Sequence, residues 1–149
     1  MDDNSTVIQF PGTQRIGFDL FISHPILSAD AISACLGLEP DFWHSVNEPR
    51  QKLTGQRLSG RHTDTRWRYA RRQILPSQHF TSYFVQFVDS LAPHSSYFAE
   101  LAATGGSATI IISFLGDGHY GDSLERGILA KLVALNLDLG IESYSTRQR

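Results

Sequence analysis

Eight of the chain's thirteen Lys+Arg residues fall between Arg50 and Arg72. They are Arg50, Lys52, Arg57, Arg61, Arg66, Arg68, Arg71 and Arg72, and Asp64 is the one acid among them. The segment therefore carries about +7 in a protein whose net charge is −2. Arginine outnumbers lysine in it seven to one, and guanidinium forks match carboxylate and phosphate bidentately. The chemistry on offer is recognition of anions, not the making or breaking of bonds.

Three other groups of residues invite a chemical reading, and each has a plainer one. The run Gly116-Asp117-Gly118-His119-Tyr120-Gly121-Asp122 combines two acids and a histidine with glycines that let backbone amides approach an anion. It lacks the alternating acids and late glutamate of a calcium loop, and the Gly-Lys-Ser/Thr of a phosphate loop. A strand-to-helix connection with an Asp cap is the simpler reading. Cys35, the single cysteine, is expected on the apolar side of a short helix beside Ile32 and Leu36, as a buried structural thiol. Asp41, His44 and Glu48 could supply acid–base groups, though nothing in their spacing requires it. The six histidines show neither the i, i+4 helical spacing nor the carboxylate companion of zinc ligands. No metal, cofactor or catalytic residue is expected from these patterns.

The elements that must position the arginines follow from periodicity. Ile16, Phe18, Leu20 and Ile22 alternate with polar or small residues, which predicts a strand with one buried face. Ser28 can cap a helix that Gly37 closes. After a connection over 38–54, a hairpin is expected from Gly55–Arg61 and Thr65–Gln73. With Arg61 opposite Arg66, Leu58 faces Tyr69 and Gly60 faces Trp67. That register puts Leu58, Trp67 and Tyr69 on the core face and Arg57, Arg61, Arg66, Arg68 and Arg72 on the other. Trp67 and Tyr69 are thereby directed inward, away from any base they might stack on.

Pro76-Ser77 introduces a helix striped by Phe80, Phe84, Phe87, Val88 and Leu91. Pro93 interrupts it, and a shorter helix continues through Phe98, Leu101 and Ala102. Ala108, Ile110, Ile112 and Phe114 mark another strand. Asp122 or Ser123 caps a helix with Leu124, Ile128, Leu132 and Leu135. A last strand turns Leu137, Leu139 and Ile141 inward and Asp138, Glu142 and Tyr144 outward. Residues 1–14 read as a loose arm with a short strand over 6–10, residues 15–145 as one domain, and 146–149 as a frayed tail.

Because every strand alternates, the expected fold is a single α+β domain with a mainly antiparallel sheet and helices on one face. The element order is that of a ferredoxin-like split core with an added helix and strand. The five arginines then line the open face, with Asp19, Asp138 and Glu142 placed to neutralise some of them. Length and composition agree with one globular domain: 149 residues, 41% hydrophobic and 19% charged. The start Met1-Asp2-Asp3-Asn4-Ser5 has no signal-peptide character, and no apolar run is long enough for a membrane span. A lone cysteine suits a reducing compartment, so a cytoplasmic protein is expected.

The same landmarks resemble a known family. A first strand leads to a helix ending in Leu36-Gly37-Leu38-Glu39-Pro40. Trp67 lies in a later strand, a long amphipathic helix follows, and Leu139-Gly140-Ile141 with Tyr144 closes the chain. This arrangement resembles the bacterial domain-of-unknown-function family DUF 4279 over 15–145. The resemblance implies no catalytic residue, cofactor or substrate, so function is read from the residues themselves.

That reading is a non-catalytic binding module whose arginine-lined face engages an acidic protein, as antitoxin or immunity partners do by class-level analogy. Nucleic acid or a phosphorylated ligand at the same face is the alternative; the pI of about 6.3 counts against a dedicated nucleic-acid binder. A third reading is an enzyme with its site at the Gly116–Asp122 loop. Open sheet edges allow either a monomer or a homodimer.

Overall fold

The computed structural model describes residues 14–75, 79–116 and 119–145. Its elements run β1 (Gln14–His24), α1 (Ala29–Leu36), β2 (Phe42–His44), β3 (Pro49–Gln51), β4 (Arg57–Arg61), β5 (Thr65–Leu75), α2 (Thr81–Leu91), α3 (Ser95–Ala103), β6 (Ser107–Leu115), α4 (Arg126–Ala134) and β7 (Asp138–Tyr144). A 3-10 turn at Ala92–His94, carrying Pro93, joins α2 to α3. The expected short strand over 6–10, the Pro76-Ser77 helix start and the tail after Ser145 lie outside the described residues.

Five strands form one sheet in the order β2-β5-β1-β6-β7, and β3 and β4 form a separate pair. Neighbours in the large sheet are antiparallel except β6 and β7, which are parallel and joined through α4. β5 sits between β1 and β2, so the connection through α1 skips one position in the sheet. The chain is therefore α+β with a mostly antiparallel sheet, as the alternating strands require.

The buried face of the sheet carries Ile16, Phe18, Leu20 and Ile22 of β1, all without solvent exposure. Trp67 of β5 and Ile110 and Ile112 of β6 extend that face. The helices supply the other half of the core: Ile32 and Leu36, then Phe84, Phe87 and Leu91, Phe98 and Leu101, and Leu132. Phe18 meets Phe84 and Phe87 at centroid distances of 5.6 and 6.0 Å. Trp67 also fixes α1, because its indole N–H donates to Ser33 Oγ at 2.9 Å. Ser28 caps α1 by accepting from the Ala31 amide, and Gly37 ends it at φ 65°, both as expected.

Four expectations are corrected. The strand Arg57–Arg61 does not pair with β5; it pairs with β3, matching Pro49 to Arg61 and Gln51 to Arg57. The part of β5's second edge that the hairpin register needs, Arg66–Arg68, is taken by β2. All eleven residues of β1 pair along β5 from Gln14↔Leu75 to His24↔Thr65, and β2 takes the opposite edge. Leu58 accordingly stays at the surface with the rest of β4. Cys35 is exposed, not buried: Ala29, Ile32 and Leu36 define the inward stripe, and Cys35 stands about 100° round the helix from Leu36. Neither Asp122 nor Ser123 caps α4, whose N-cap is Glu125. Ile141 is 66% exposed despite its inward phase, because the helix layer does not reach over that part of the edge strand.

One buried polar cluster locks the end of β1. His24 is 2% exposed, and its Nδ1 accepts from the amides of Ile26 and Leu27 at 3.0 and 2.9 Å. Its Nε2 must then be the donor, and it meets Thr104 Oγ1 at 2.9 Å. Burial lowers the pKa of this neutral ring. Gly106 packs flat against it: a Cβ there would stand 2.6 Å from His24 Cδ2 and 3.0 Å from Ser23 O.

Two outcomes follow. Gly106→Ala should lower the unfolding free energy by about 1–3 kcal/mol, as for other overpacked sites; urea denaturation reads this directly. For His24, the unfolded chain binds the proton more readily than the folded one. Stability is thus complete above the ordinary value of 6.5 and declines as pH falls below it. A denaturation midpoint that stays level between neutral pH and the onset of carboxylate titration would contradict the buried neutral ring.

Candidate functional site

The face of the sheet turned away from the helices carries the alternate residues of the same strands. Across its middle the register aligns Arg72, Gly17, Ser113 and Glu142 in one row. The next row aligns Ala70, Asp19, Ile111 and Gly140, and a third Arg68, Phe21, Thr109 and Asp138. Over these rows lies an open groove of about 660 Å³. Phe21, Arg68, Arg72 and Ser113 line it from within the sheet, Phe42 and His44 from the β2 edge and Tyr144 from β7.

Asp19 dominates the electrostatics of this face. It is 1% exposed, although no helix covers it, and burying a carboxylate demands a cation. Arg68 provides one: its Nε donates to Asp19 Oδ2 at 2.8 Å, and its Nη2 makes a second contact with the same oxygen. The same Nη2 reaches Glu142 Oε2 at 3.4 Å, where the Tyr144 hydroxyl also donates at 2.7 Å. Burial alone would lower the Arg68 pKa; the hydrogen bonds and charges of Asp19 and Glu142 outweigh it and raise the value. Arg68 is thus an internal counter-ion and not a free docking cation. Asp19 and Glu142 act as the neutralising acids expected from strand phase, whereas Asp138 forms no ion pair among the described residues.

The other arginines separate into distinct places. Arg57 and Arg61 belong to the β3–β4 pair and not to the main sheet face. This corrects the expectation of five arginines on one face, and its cause is the β4 pairing described above. Arg72 remains exposed on the open face. Arg71 points to the opposite side, with its guanidinium carbon 3.7 Å from the Tyr69 ring centroid.

A basic rim forms where the β3–β4 pair meets the end of β5. Arg50, Arg61 and Arg66 line one shallow depression of about 250 Å³ with His44, His62 and Asp64. Two stacked imidazoles, His44 and His62 at 3.6 Å between centroids, join β2 to the hairpin. Desolvation, with His62 beside it, lowers the His44 pKa against the opposing pull of Asp64. Asp64 also pairs with Arg66 at 3.3 Å, an exposed contact of small energetic weight. Arg61 Nη1 donates to the Asn47 carbonyl at 2.6 Å, which orients the hairpin arginine over the depression.

The other sequence candidates have structural duties. Asp122 receives the amides of Phe80 and Thr81 at 3.1 and 3.0 Å, so it caps α2 from a distant loop. Hydrogen bonding by Thr81, side chain and amide, holds its carboxyl well below the usual carboxylate range. Tyr120 Oη meets the Leu115 carbonyl at 2.6 Å and accepts from the Arg15 amide at 3.1 Å, closing the β1–β6 end. Asp117 lies outside the described residues. Asp41 accepts from the Ala70 amide at 2.7 Å, and Glu48 from the Ser45 amide at 3.0 Å. No cluster of three or more potential metal ligands occurs among the described residues, and no helix among them is long and apolar enough to cross a membrane.

Sequence reasoning placed Asp19 on the open face but missed its deep burial and its union with Arg68. The available signal was a charged residue in the middle of a strand whose opposite face is apolar from Ile16 to Ile22, two residues from Gly17. Replacing Arg68 with alanine strands the Asp19 carboxylate, and should cost about 2–4 kcal/mol, below the fully buried range because the guanidinium is 30% exposed. Asp19→Ala combined with Arg68→Ala should cost less than Arg68→Ala alone. Equal losses in chemical denaturation would mean that the pair is not coupled.

No curated protein and no solved structure matches the chain. A family model does match, over residues 15–146, and it is described as a domain of unknown function (DUF4279). That span takes in every strand and helix described above apart from Gln14 at the start of β1, and the residues of the candidate site, so the chain belongs to the DUF4279 family.

Proposed function

We propose that this protein is a non-catalytic binding module that docks an acidic segment of a protein partner on its basic rim. The observation that carries this reading is the convergence of Arg50, Arg61 and Arg66 on one depression against the single carboxylate of Asp64. Three guanidinium-bearing side chains that line one depression add up to a positive potential there, and a partner's carboxylates would complement it. Their exposure favours fast, salt-sensitive association over tight desolvated burial. Phe42 and Trp43, half exposed on the adjoining edge strand, add apolar contact of the kind that anchors protein interfaces. A nucleic-acid or phosphorylated ligand would use the same cations, and it gives a different outcome in the test below.

The test compares the wild type with an Arg50→Glu, Arg61→Glu, Arg66→Glu variant; Arg68 is left intact because it balances Asp19. After circular dichroism shows both folded, each is immobilised and exposed to cell extract at low and physiological salt. A specific acidic protein retained by the wild type and lost by the variant, then confirmed by titration of the purified pair, is the expected result. Retention of nucleic acid, with affinity falling steeply in salt, would replace the protein partner with the alternative. Identical eluates from the two proteins would remove the rim as an interface.

A further inference from the structure

The two edges of the five-stranded sheet are unlike. β2 is three residues long, a short edge of the kind that resists pairing with another chain. β7 runs for seven residues, Asp138–Tyr144, without lysine or proline, and no bulge breaks its register with β6. Among the described residues no strand pairs along its other side. The Tyr144 carbonyl accepts from the Gly116 amide at 2.9 Å, so Tyr144 directs its backbone groups toward β6. Backbone direction alternates along a strand. Leu139, Ile141 and Ser143 therefore turn their N–H and C=O groups outward, to the open edge.

Apolar side chains gather along the same edge. Ile141 projects on the helix side of the sheet, level with Ile112, yet it is 66% exposed. On α4, Lys131 reaches Asp89 of α2 at 2.9 Å. That flank of α4 thus faces the middle of the sheet, where Phe84 and Phe87 of α2 meet Phe18 of β1. Leu129 and Val133 stand two residues either side of Lys131, about 200° round the helix. They occupy the opposite flank, toward the β7 edge, and are 41% and 77% exposed. An unprotected strand edge beside exposed aliphatic side chains has the composition of an interface.

We propose that β7 is a homodimer interface, in which a second copy of this chain pairs antiparallel with it about a two-fold axis at Ile141. Ile141 is the midpoint of the strand, so this axis pairs the whole of β7 with its copy. It also sets outward backbone groups against outward ones: Ile141 exchanges hydrogen bonds with Ile141 of the copy, and Leu139 with Ser143. The charges choose the same register. Asp138 meets Tyr144 and Glu142 meets Gly140, whereas moving the axis by one residue sets Glu142 against itself or against Asp138. Like charges directly opposed destabilise a sheet. On the helix side the two Ile141 side chains come together between the Leu129 and Val133 flanks of the two α4 helices. The two sheets become one, and the basic rims, which lie toward the β2 edge, stay free at its far ends. The inference is independent of the partner proposed for the rim.

Sedimentation equilibrium over a concentration series tests it, in reducing buffer because Cys35 is exposed. The mass should rise to twice the chain's 16.6 kDa. Ile141→Lys should weaken dimerisation by about a hundredfold or more. Its circular dichroism should match the wild type, because the side chain is exposed in the single chain. The Arg50→Glu, Arg61→Glu, Arg66→Glu protein should dimerise normally. Ile141→Cys in a Cys35→Ser background tests the register separately. Hydrogen-bonded antiparallel partners lie about 5.5 Å apart at Cα, within disulfide range, so mild oxidation should give a covalent dimer. Ile74→Cys in the same background, equally exposed on β5, should not. A monomer at every concentration overturns the proposal. So does a dimer that survives Ile141→Lys, or cross-linking no faster at position 141 than at position 74.

Discussion

Placing Asp19 in the middle of the central strand constrains most of what surrounds it. β1 is hydrogen-bonded along both edges and presses its apolar side chains against the helices. Its other face receives no helix, yet Asp19 is shut off from water by its neighbours on the sheet. A carboxylate so enclosed must have a cation within hydrogen-bond reach. Arg68 meets that need, and Glu142 and Tyr144 extend the network to the far edge of the sheet. The uncovered face is consequently an ordered ionic layer and not a loose array of solvated charges.

This ordering sorts the arginines by role. Arg68 belongs to the protein's own charge balance, and Arg71 serves the opposite side through the Tyr69 ring. Arg72 stays exposed on the open face, while Arg50, Arg61 and Arg66 gather at the rim. A count of positive residues along the chain treats these as equivalent. Their chemistry differs because a guanidinium already committed to a buried carboxylate has little left for a ligand, whereas an exposed one beside other cations gains by meeting an anion.

The β3–β4 pair shows how far local pattern reaches. Alternation over Gly55–Arg61 and Thr65–Gln73 satisfies the rules for a hairpin, and both segments do form strands. Pairing is decided elsewhere. An eleven-row ladder with β1 offers β5 far more hydrogen bonds and apolar contact than the five residues of β4 could, and β2 takes Arg66–Arg68 on the other edge, where the hairpin would have had to pair. Asp122 shows the same limit: it looks like the cap of the helix that follows it, and it caps α2 instead. Which helix end a carboxylate meets depends on loops brought together by the core.

Much was legible from residue order alone. Period-two runs located β1, β6 and β7, the Ser28 and Gly37 signals bounded α1, and the phenylalanine stripe marked the buried side of α2. These are local properties, set by backbone geometry and by which side of an element can leave water. The α+β class and the acids that neutralise part of the open face followed from them. Only the tertiary structure decided strand partners, the burial of Asp19, the exposure of Cys35 and the meeting of Gly17 with Ser113. Each of those depends on residues far apart in the chain competing for the same edge or the same space, and no single segment carries that outcome.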